Sequence, residues 1–234
     1  MNKEIEQWLT GFWEGDGSCG AYYDSSVDNL VPNVTFIQKD RSVLEDIRDL
    51  IGYGYIRTPN LQVRGWKRCM ELLILFCEHI VGEQSVSKVN NMLEKCDLDT
   101  LALRHEPSMP WIVGFFDAEG HIDWDNCGQL QSNFAQKDRV VLEDVQAHIG
   151  GSIRRDKSTY KGKPYYYFKL YPEGSVLRDF IPHILKYSRH ESKRRKLLTQ
   201  IYALASDGNG VWNRWARELI SREHSIPNSQ VAKD

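Results

Sequence analysis

The sequence predicts an α+β fold: two pseudo-symmetric half-domains, each running αββαββα, within one chain of 234 residues. Three observations predict it. The decapeptide WLTGFWEGDG (8–17) returns as WIVGFFDAEG (111–120), and the block FIQKDRSVLEDI (36–47) returns as FAQKDRVVLEDV (134–145). The third is that one order of hydrophobic periods runs through both halves. A unit of about a hundred residues is longer than solenoid repeats, which span roughly 20–50 residues. The chain therefore reads as two fused copies of one small domain, an internal pseudo-dimer.

The elements follow in order. A helix is expected from Lys3 to Asp16, a strand from Ser18 to Asp24, a polar loop through Leu30 and a strand from Asn33 to Gln38. Asp40 can cap a helix whose apolar positions Val43, Leu44, Ile47, Leu50 and Ile51 keep helical spacing, and Gly52 ends it. Strands are expected at Tyr55–Thr58 and Lys67–Phe76, then one or two helices to Leu103. Pro107 and Pro110 mark a linker, giving half-domains 1–103 and 111–234 joined by 104–110. The second half repeats the order: helix 109–119, strands 121–126 and 129–136, and a helix capped by Asp138 and ended by Gly150. Strands 152–156 and 164–171 come next, followed by helices from Gly174, the last of them amphipathic over 211–222.

The repeated decapeptides carry the chemistry. Each has small residues four apart, Gly11 and Gly15 in one and Gly114 and Ala118 in the other, which let two helix backbones approach closely. Each ends in acid-x-acid-Gly, so Asp16 and Glu119 would lie side by side at two helix C-termini. That is the negative pole of the helix dipole, and a metal cation is the simplest offset. Glu14 and Asp117 sit two residues earlier, about 200° around the helix, and face elsewhere as structural groups.

Composition narrows the class. No apolar stretch of signal type opens the sequence and no run approaches membrane-spanning length, so an intracellular protein with no membrane role is expected. Five scattered cysteines without a C-x-x-C pair argue against structural zinc. The net charge is only −2, yet two basic runs stand out: Arg154, Arg155, Lys157, Lys161, Lys163 and Lys169, then Lys186, Arg189, Lys193, Arg194, Arg195 and Lys196. Tyr160, Tyr165, Tyr166, Tyr167 and Phe168 thread the first run, a pattern suited to a phosphate-rich partner. The seven histidines show no metal-ligand spacing.

Strand alternation separates a core face from an open one. Leu130, Ser132 and Phe134 oppose Gln129, Gln131 and Asn133; Val34 and Phe36 oppose Asn33 and Thr35; Met70, Leu72 and Ile74 oppose Cys69 and Glu71. The open face carries side chains able to bond base edges. The candidate contacting set is Tyr22, Asp24, Ser26, Asn33, Thr35, Arg57, Lys67 and Glu71 in the first half. In the second it is Asp123, Asp125, Gln129, Gln131, Asn133, Arg154, Lys157, Lys163, Tyr165, Tyr167 and Lys169.

With these residues in place, the chain resembles the single-chain LAGLIDADG homing endonucleases. The family motif maps onto Leu9–Gly17 and Ile112–Gly120, each followed by the same strand-Gln-Lys-Asp-helix block. The resemblance implies a saddle-shaped antiparallel sheet in each half and a metal-dependent cut of one phosphodiester in each strand of a long asymmetric duplex. It implies two or more Mg²⁺ ions held by Asp16 and Glu119 with the carbonyls of Gly15 and Ala118. Gln38 and Gln136 match the polar residue that orients water, and Arg104, Lys186 and Arg189, with Lys193 competing, match the basic group of each half. Arg104-His105-Glu106 recurs as Arg189-His190-Glu191. Double-stranded DNA is the implied partner, bound through the candidate contacting set, and a monomer the implied state. An intron RNA maturase and a cleavage-inactive DNA-binding protein are the alternatives on the same scaffold.

Overall fold

In the computed structural model the first half comprises helix α1 (Lys3–Asp16), strands β1 (Gly17–Asp24) and β2 (Asn29–Ile37), and helix α2 (Arg41–Ile51). Strands β3 (Tyr55–Arg57) and β4 (Asn60–Arg64) follow, then helices α3 (Trp66–Cys77) and α4 (Glu83–Lys95). The second half comprises α5 (Met109–Glu119), β5 (Gly120–Trp124), β6 (Leu130–Gln136), α6 (Arg139–Ile149), β7 (Ser152–Tyr160), β8 (Lys163–Tyr171), α7 (Ser175–Tyr187), α8 (Glu191–Ser206) and α9 (Val211–His224). The structure describes residues 1–25, 28–98, 102–124, 129–160, 163–206, 208 and 210–224, and the side chains of these except 24, 29, 159, 160, 163–166, 223 and 224.

Local chemistry sets the ends of the elements. Asn2 accepts the Ile5 N–H at 2.9 Å to start α1, and Ser108 with Pro110 starts α5. Asp40 and Asp138 cap α2 and α6 alike, accepting from Ser42 and Val140 at 3.1 and 3.0 Å. Gly52 closes α2 at φ 80°, a left-handed conformation that glycine adopts without steric cost.

The strands form two antiparallel sheets of one topology, β1-β2-β4-β3 and β5-β6-β8-β7. Their registers match: Gly17 pairs with Phe36 as Gly120 pairs with Phe134. Two elements differ from expectation. Lys67–Phe76 is not a strand but lies within α3, because its buried residues Cys69, Met70, Leu72, Leu73 and Phe76 recur every three to four positions. The fourth strand of the first sheet is instead Asn60–Arg64, whose Leu61 and Val63 are buried between polar neighbours.

Helices α1 and α5 form the centre of the molecule. A Cβ on Gly11 would collide with the Trp111 carbonyl, and one on Gly114 would collide with the Trp8 carbonyl. The two backbones touch where side chains would otherwise hold them apart. Around this crossing Trp8, Phe12, Trp13, Trp111, Phe115 and Phe116 are all at most 1% exposed, and they join the sheet residues Phe36 and Phe134 in one core. Among the described residues, no helix is long and apolar enough to cross a membrane.

Candidate active site at the crossing of two helices

The crossing brings the ends of α1 and α5 together, and the sequence of each end decides what lies there. Gly15 packs so tightly on α5 that a Cβ would stand 2.5 Å from the Ala118 Cβ and 3.1 Å from the Glu119 Cγ. No larger residue would let Asp16 and Glu119 share one pocket. Burial pushes the Asp16 carboxyl up to about 6, against the Lys193 ammonium. It pushes Glu119 up to about 8, with the Asp16 charge adding to the rise and Lys193 opposing it. Two partly buried carboxyl groups at negative helix ends face one ammonium, so the pocket is net negative once both acids are ionised. Its donors are hard oxygens, a set that suits a small divalent cation.

Lys193, on the first turn of α8, supplies that ammonium. Its Nζ donates to the carbonyls of Phe116, Asp117 and Gly120 at 2.9, 2.7 and 2.6 Å, closing the C-terminal end of α5. Burial lowers its pKa to about 8, against the pull of Asp117, Asp16 and Glu119. Of the cations that competed for this place in the sequence, Lys193 occupies it. Lys186 instead donates to the Tyr187 hydroxyl and pairs with Glu4. Arg189 places its backbone N–H on Asp117 and its guanidinium over Trp8 and near Asp46. Arg104 donates to the Val81 carbonyl and pairs with Asp144. Asp46 and Asp144 occupy the same place in the repeated block. Arg104 thus pairs with Asp144 while Arg189 acts on Asp46 through space, and among the described contacts none of Arg104, Lys186 and Arg189 stands against Asp16 or Glu119.

The two glutamines repeat each other's geometry. Each Oε1 accepts the next residue's backbone N–H at 2.8 Å. The Gln136 amide also donates to Glu119 at 3.4 Å. Gln38 has no matching bond to Asp16 among the described residues.

Glu14 and Asp117 face away from the pocket, as their helical phase requires. Asp117 is fully buried and accepts from Trp8 Nε1 at 2.9 Å, Ser188 Oγ at 2.6 Å and the Arg189 N–H at 2.9 Å. Glu14 accepts the N–H groups of Val81 and Gly82 at 2.9 and 3.1 Å, and burial raises it to about 8 against those bonds. Each acid fastens the start of the following helix, α8 or α4, to its own motif helix.

The sheets' open faces follow from strand parity and register. In the first half Tyr22, Asn33, Thr35 and Arg57 share that face with Asn60, Gln62 and Arg64. The last three lie outside the sequence-predicted set, although the alternation of Asn60–Arg64 signals them; the longer apolar run after it competes for the strand. Arg57, Gln62, Arg64 and Arg68 line a hollow of about 470 Å³ with Gly54 and Tyr55, and Arg64 stacks over Tyr22 at 5.7 Å. Lys67 and Glu71 lie off the sheet on α3, where Glu71 accepts from the Tyr53 hydroxyl. Thr35 is only 7% exposed beneath Asn33, too covered to reach far.

In the second half Asp123, Gln131, Asn133, Arg154, Tyr167 and Lys169 share the open face. Lys169 and Tyr167 converge on Asp156, Arg154 pairs with Glu173, and Lys196 neutralises Asp123 at 2.6 Å. Lys157 falls on the opposite side, in phase with Ile153 and Arg155, so its assignment to this face is corrected. Gln129 precedes β6. Ser26 and Asp125 lie outside the described residues, as do the side chains of Asp24, Lys163 and Tyr165.

Comparison with known proteins gives the same picture. Residues 106–223, just over half the chain, match the model of the LAGLIDADG-like domain. An intron-encoded DNA endonuclease of Dictyostelium discoideum is 25% identical, covering 97% of this chain and 90% of that protein. A probable intron-encoded endonuclease of Debaryomyces hansenii is 24% identical over 86% of this chain, which spans 34% of that longer protein. Among solved structures, the meganuclease I-SmaMI bound to uncleaveable DNA superposes with a TM-score of 0.58 at 14% identity, covering 97% of this chain and 99% of its own. The endonuclease I-GzeII in complex with its DNA target gives 0.55 at 16% identity, covering 95% and 93%. At such identities the structural likeness speaks for the fold.

Proposed function

The chain belongs to the LAGLIDADG family, and we propose that it is a site-specific endonuclease that hydrolyses one phosphodiester in each strand of a long, asymmetric DNA duplex. One observation carries the reading: the contact between α1 and α5 brings Asp16 and Glu119 into one partly buried pocket on the pseudo-twofold axis. Burial raises both acids and the Asp16 charge raises Glu119 further, so neither carboxylate is stabilised by being held there ionised. The pair serves a centre shared by two scissile phosphates.

The residues divide the work. Asp16 and Glu119, with the carbonyls of Gly15 and Ala118, would hold divalent cations, Mg²⁺ being the expected ion and two or more the expected number. Bound there, such ions supply charge neutralisation at the phosphate and a water of lowered pKa. Gln136 fixes the Glu119 carboxylate and presents its amide beside the pocket, a place from which a water can be oriented. Lys193 holds the C-terminal carbonyls of α5 and sets a positive charge against the acids. The open sheet faces bind the duplex, Arg57 and Arg64 from one half and Arg154 and Lys169 from the other. The two faces differ at nearly every matched position, and unequal halves in one monomeric chain suit a target without twofold symmetry.

The test uses plasmids carrying candidate intron-insertion junctions, incubated with Mg²⁺ and, separately, with Ca²⁺. A staggered double-strand cut in Mg²⁺ at one junction is the expected result. Asp16→Asn should lose at least roughly a hundredfold in rate, in line with removal of a group central to transition-state electrostatics, while still binding the duplex in Ca²⁺. Cleavage by Asp16→Asn at the wild-type rate would refute the assignment. Rescue of intron splicing with no junction cut would favour the maturase alternative.

A further inference from the structure

We propose that the two DNA strands are cut at unequal rates, the phosphodiester on the Glu119 side first, because among the described residues one half places a buried ammonium at its motif helix and the other does not. The inference rests on the endonuclease reading above and adds an order of events to it.

The pseudo-twofold makes the comparison possible. Helices α4 and α8 start at equivalent places, each fastened by its half's first motif acid, Glu14 or Asp117. From there the inward positions keep step: Val89, Met92 and Leu93 of α4 are buried as Leu197, Gln200 and Ile201 of α8 are, at a constant separation of 108 residues. The same step sets Lys193 opposite Ser85. Lys193 spans three carbonyls at the end of α5. Ser85 is 8% exposed, uncharged and too short to repeat that bridge at the end of α1. Lys88, the nearest lysine on α4, stands opposite Lys196 by the same step; it acts on Glu14 and Cys19, whereas Lys196 bonds Asp123. Among the described residues, Lys193 is the cation that acts on both Asp16 and Glu119. The Gln136–Glu119 bond, which Gln38 and Asp16 do not repeat, tilts the pocket the same way.

Phosphodiester hydrolysis accumulates negative charge on the phosphoryl and leaving oxygens, and a fixed cation in a partly buried site lowers the barrier at the phosphate it serves. Loss of one preorganised charge-stabilising group typically costs about 10²–10³ in rate. A difference of one ammonium between half-centres should therefore separate the strand rates by at least about tenfold. The nicked duplex then becomes a true intermediate, and Lys193 is the positioning residue that sets its polarity.

The experiment follows both strands of a junction duplex, differently labelled at each 5′ end, through single turnovers in Mg²⁺, and the same duplex in a supercoiled plasmid. Nicked circles should accumulate before linear product, with one strand at least about tenfold faster. Lys193→Ser, which makes the two positions alike, should bring the faster strand down toward the slower one and leave the slower within about threefold. Ser85→Lys should raise the slower strand. A purely structural lysine would move both strands together. Duplex affinity in Ca²⁺, read by fluorescence anisotropy, should stay within about twofold in both variants. If Ser85→Lys does not fold, Lys193→Ser decides alone. Equal wild-type strand rates, or an equal loss on both strands in Lys193→Ser, would overturn the inference and leave the endonuclease reading standing. No nick or cut by the wild type on any junction would overturn both.

Discussion

Replacing Gly114 with alanine tests whether backbone contact between α1 and α5 holds the molecule together. The added Cβ would clash with the Trp8 carbonyl oxygen and stand 2.8 Å from its carbon and 3.0 Å from the Trp8 Cα. Carbon atoms rest at about 3.5–4.0 Å, so the helices must part by roughly 0.5–1 Å. Every neighbour named is backbone, so no rotamer change can absorb the strain. Overpacking of a core costs typically about 1–3 kcal/mol, and a backbone clash belongs at the upper end. In a chain of this size each kcal/mol lowers Tm by about 2–4 °C, which gives a fall of roughly 6–12 °C. Gly20→Ala is the internal control, because nothing lies within 4 Å of the Cβ it would add. Thermal unfolding followed by circular dichroism compares the three proteins. Equal midpoints for Gly114→Ala and Gly20→Ala would show that the close approach is not what fixes the crossing.

Other outcomes follow from the same geometry. Asp16 and Glu119 carry pKa values raised in the fold, to about 6 and about 8, from ordinary values of 3.8 and 4.5. The folded state thus holds their protons more tightly, and the stability this confers is full below about pH 4 and lost as pH rises through 6 and then 8. In EDTA the midpoint should fall across that window; Glu119→Gln should flatten the upper part, and Ca²⁺ should restore the midpoint more at pH 8 than at pH 5. A midpoint independent of pH and of Ca²⁺ would contradict a cation-binding acid pair. Arg64→Ala should weaken duplex binding about tenfold and reduce its salt dependence, whereas Lys67→Ala should change affinity less than twofold, as measured by salt-titrated anisotropy. Arg104→Ala should cost about 1 kcal/mol or less, since its ion pair with Asp144 is partly exposed, and should leave single-turnover cleavage unchanged; a large loss of rate would return Arg104 to the chemistry.

Much of the fold was legible because duplication presents each signal twice. Asp40 and Asp138 within the repeated blocks, and Gly52 and Gly150 at the ends of the helices, mark α2 and α6 by local capping chemistry. The fourth strand of the first sheet was not legible in the same way. NLQVR is five residues long, and the apolar run of α3 just after it offers a partial period of two that competes with its helical period. Lys67 and Glu71 therefore lie on α3 rather than on the sheet, and Gln62 and Arg64 take the sheet positions instead. The arginines of the repeated Arg-His-Glu take related places in the two halves. Arg104 lies after α4 and pairs with Asp144; Arg189 lies before α8, and its charge opposes the rise that burial gives the pKa of Asp46, the equivalent aspartate.

The acids of the pocket belong to the sequence. Helical phase alone turns Asp16 and Glu119 away from Glu14 and Asp117, because residues two apart on a helix face opposite sides whatever the surroundings. The small residues that let α1 and α5 meet are likewise visible in the spelling of the two decapeptides. The cation that joins the acids was decided by tertiary structure. Lys186, Arg189, Lys193 and Arg104 are equally basic in sequence, and only packing fixes which ammonium α8 carries to the end of α5 and which are spent on Glu4, Trp8 and Asp144. Electrostatic role depends on distance and burial, and for residues more than seventy positions apart in the chain those quantities exist only once the two halves are folded onto each other.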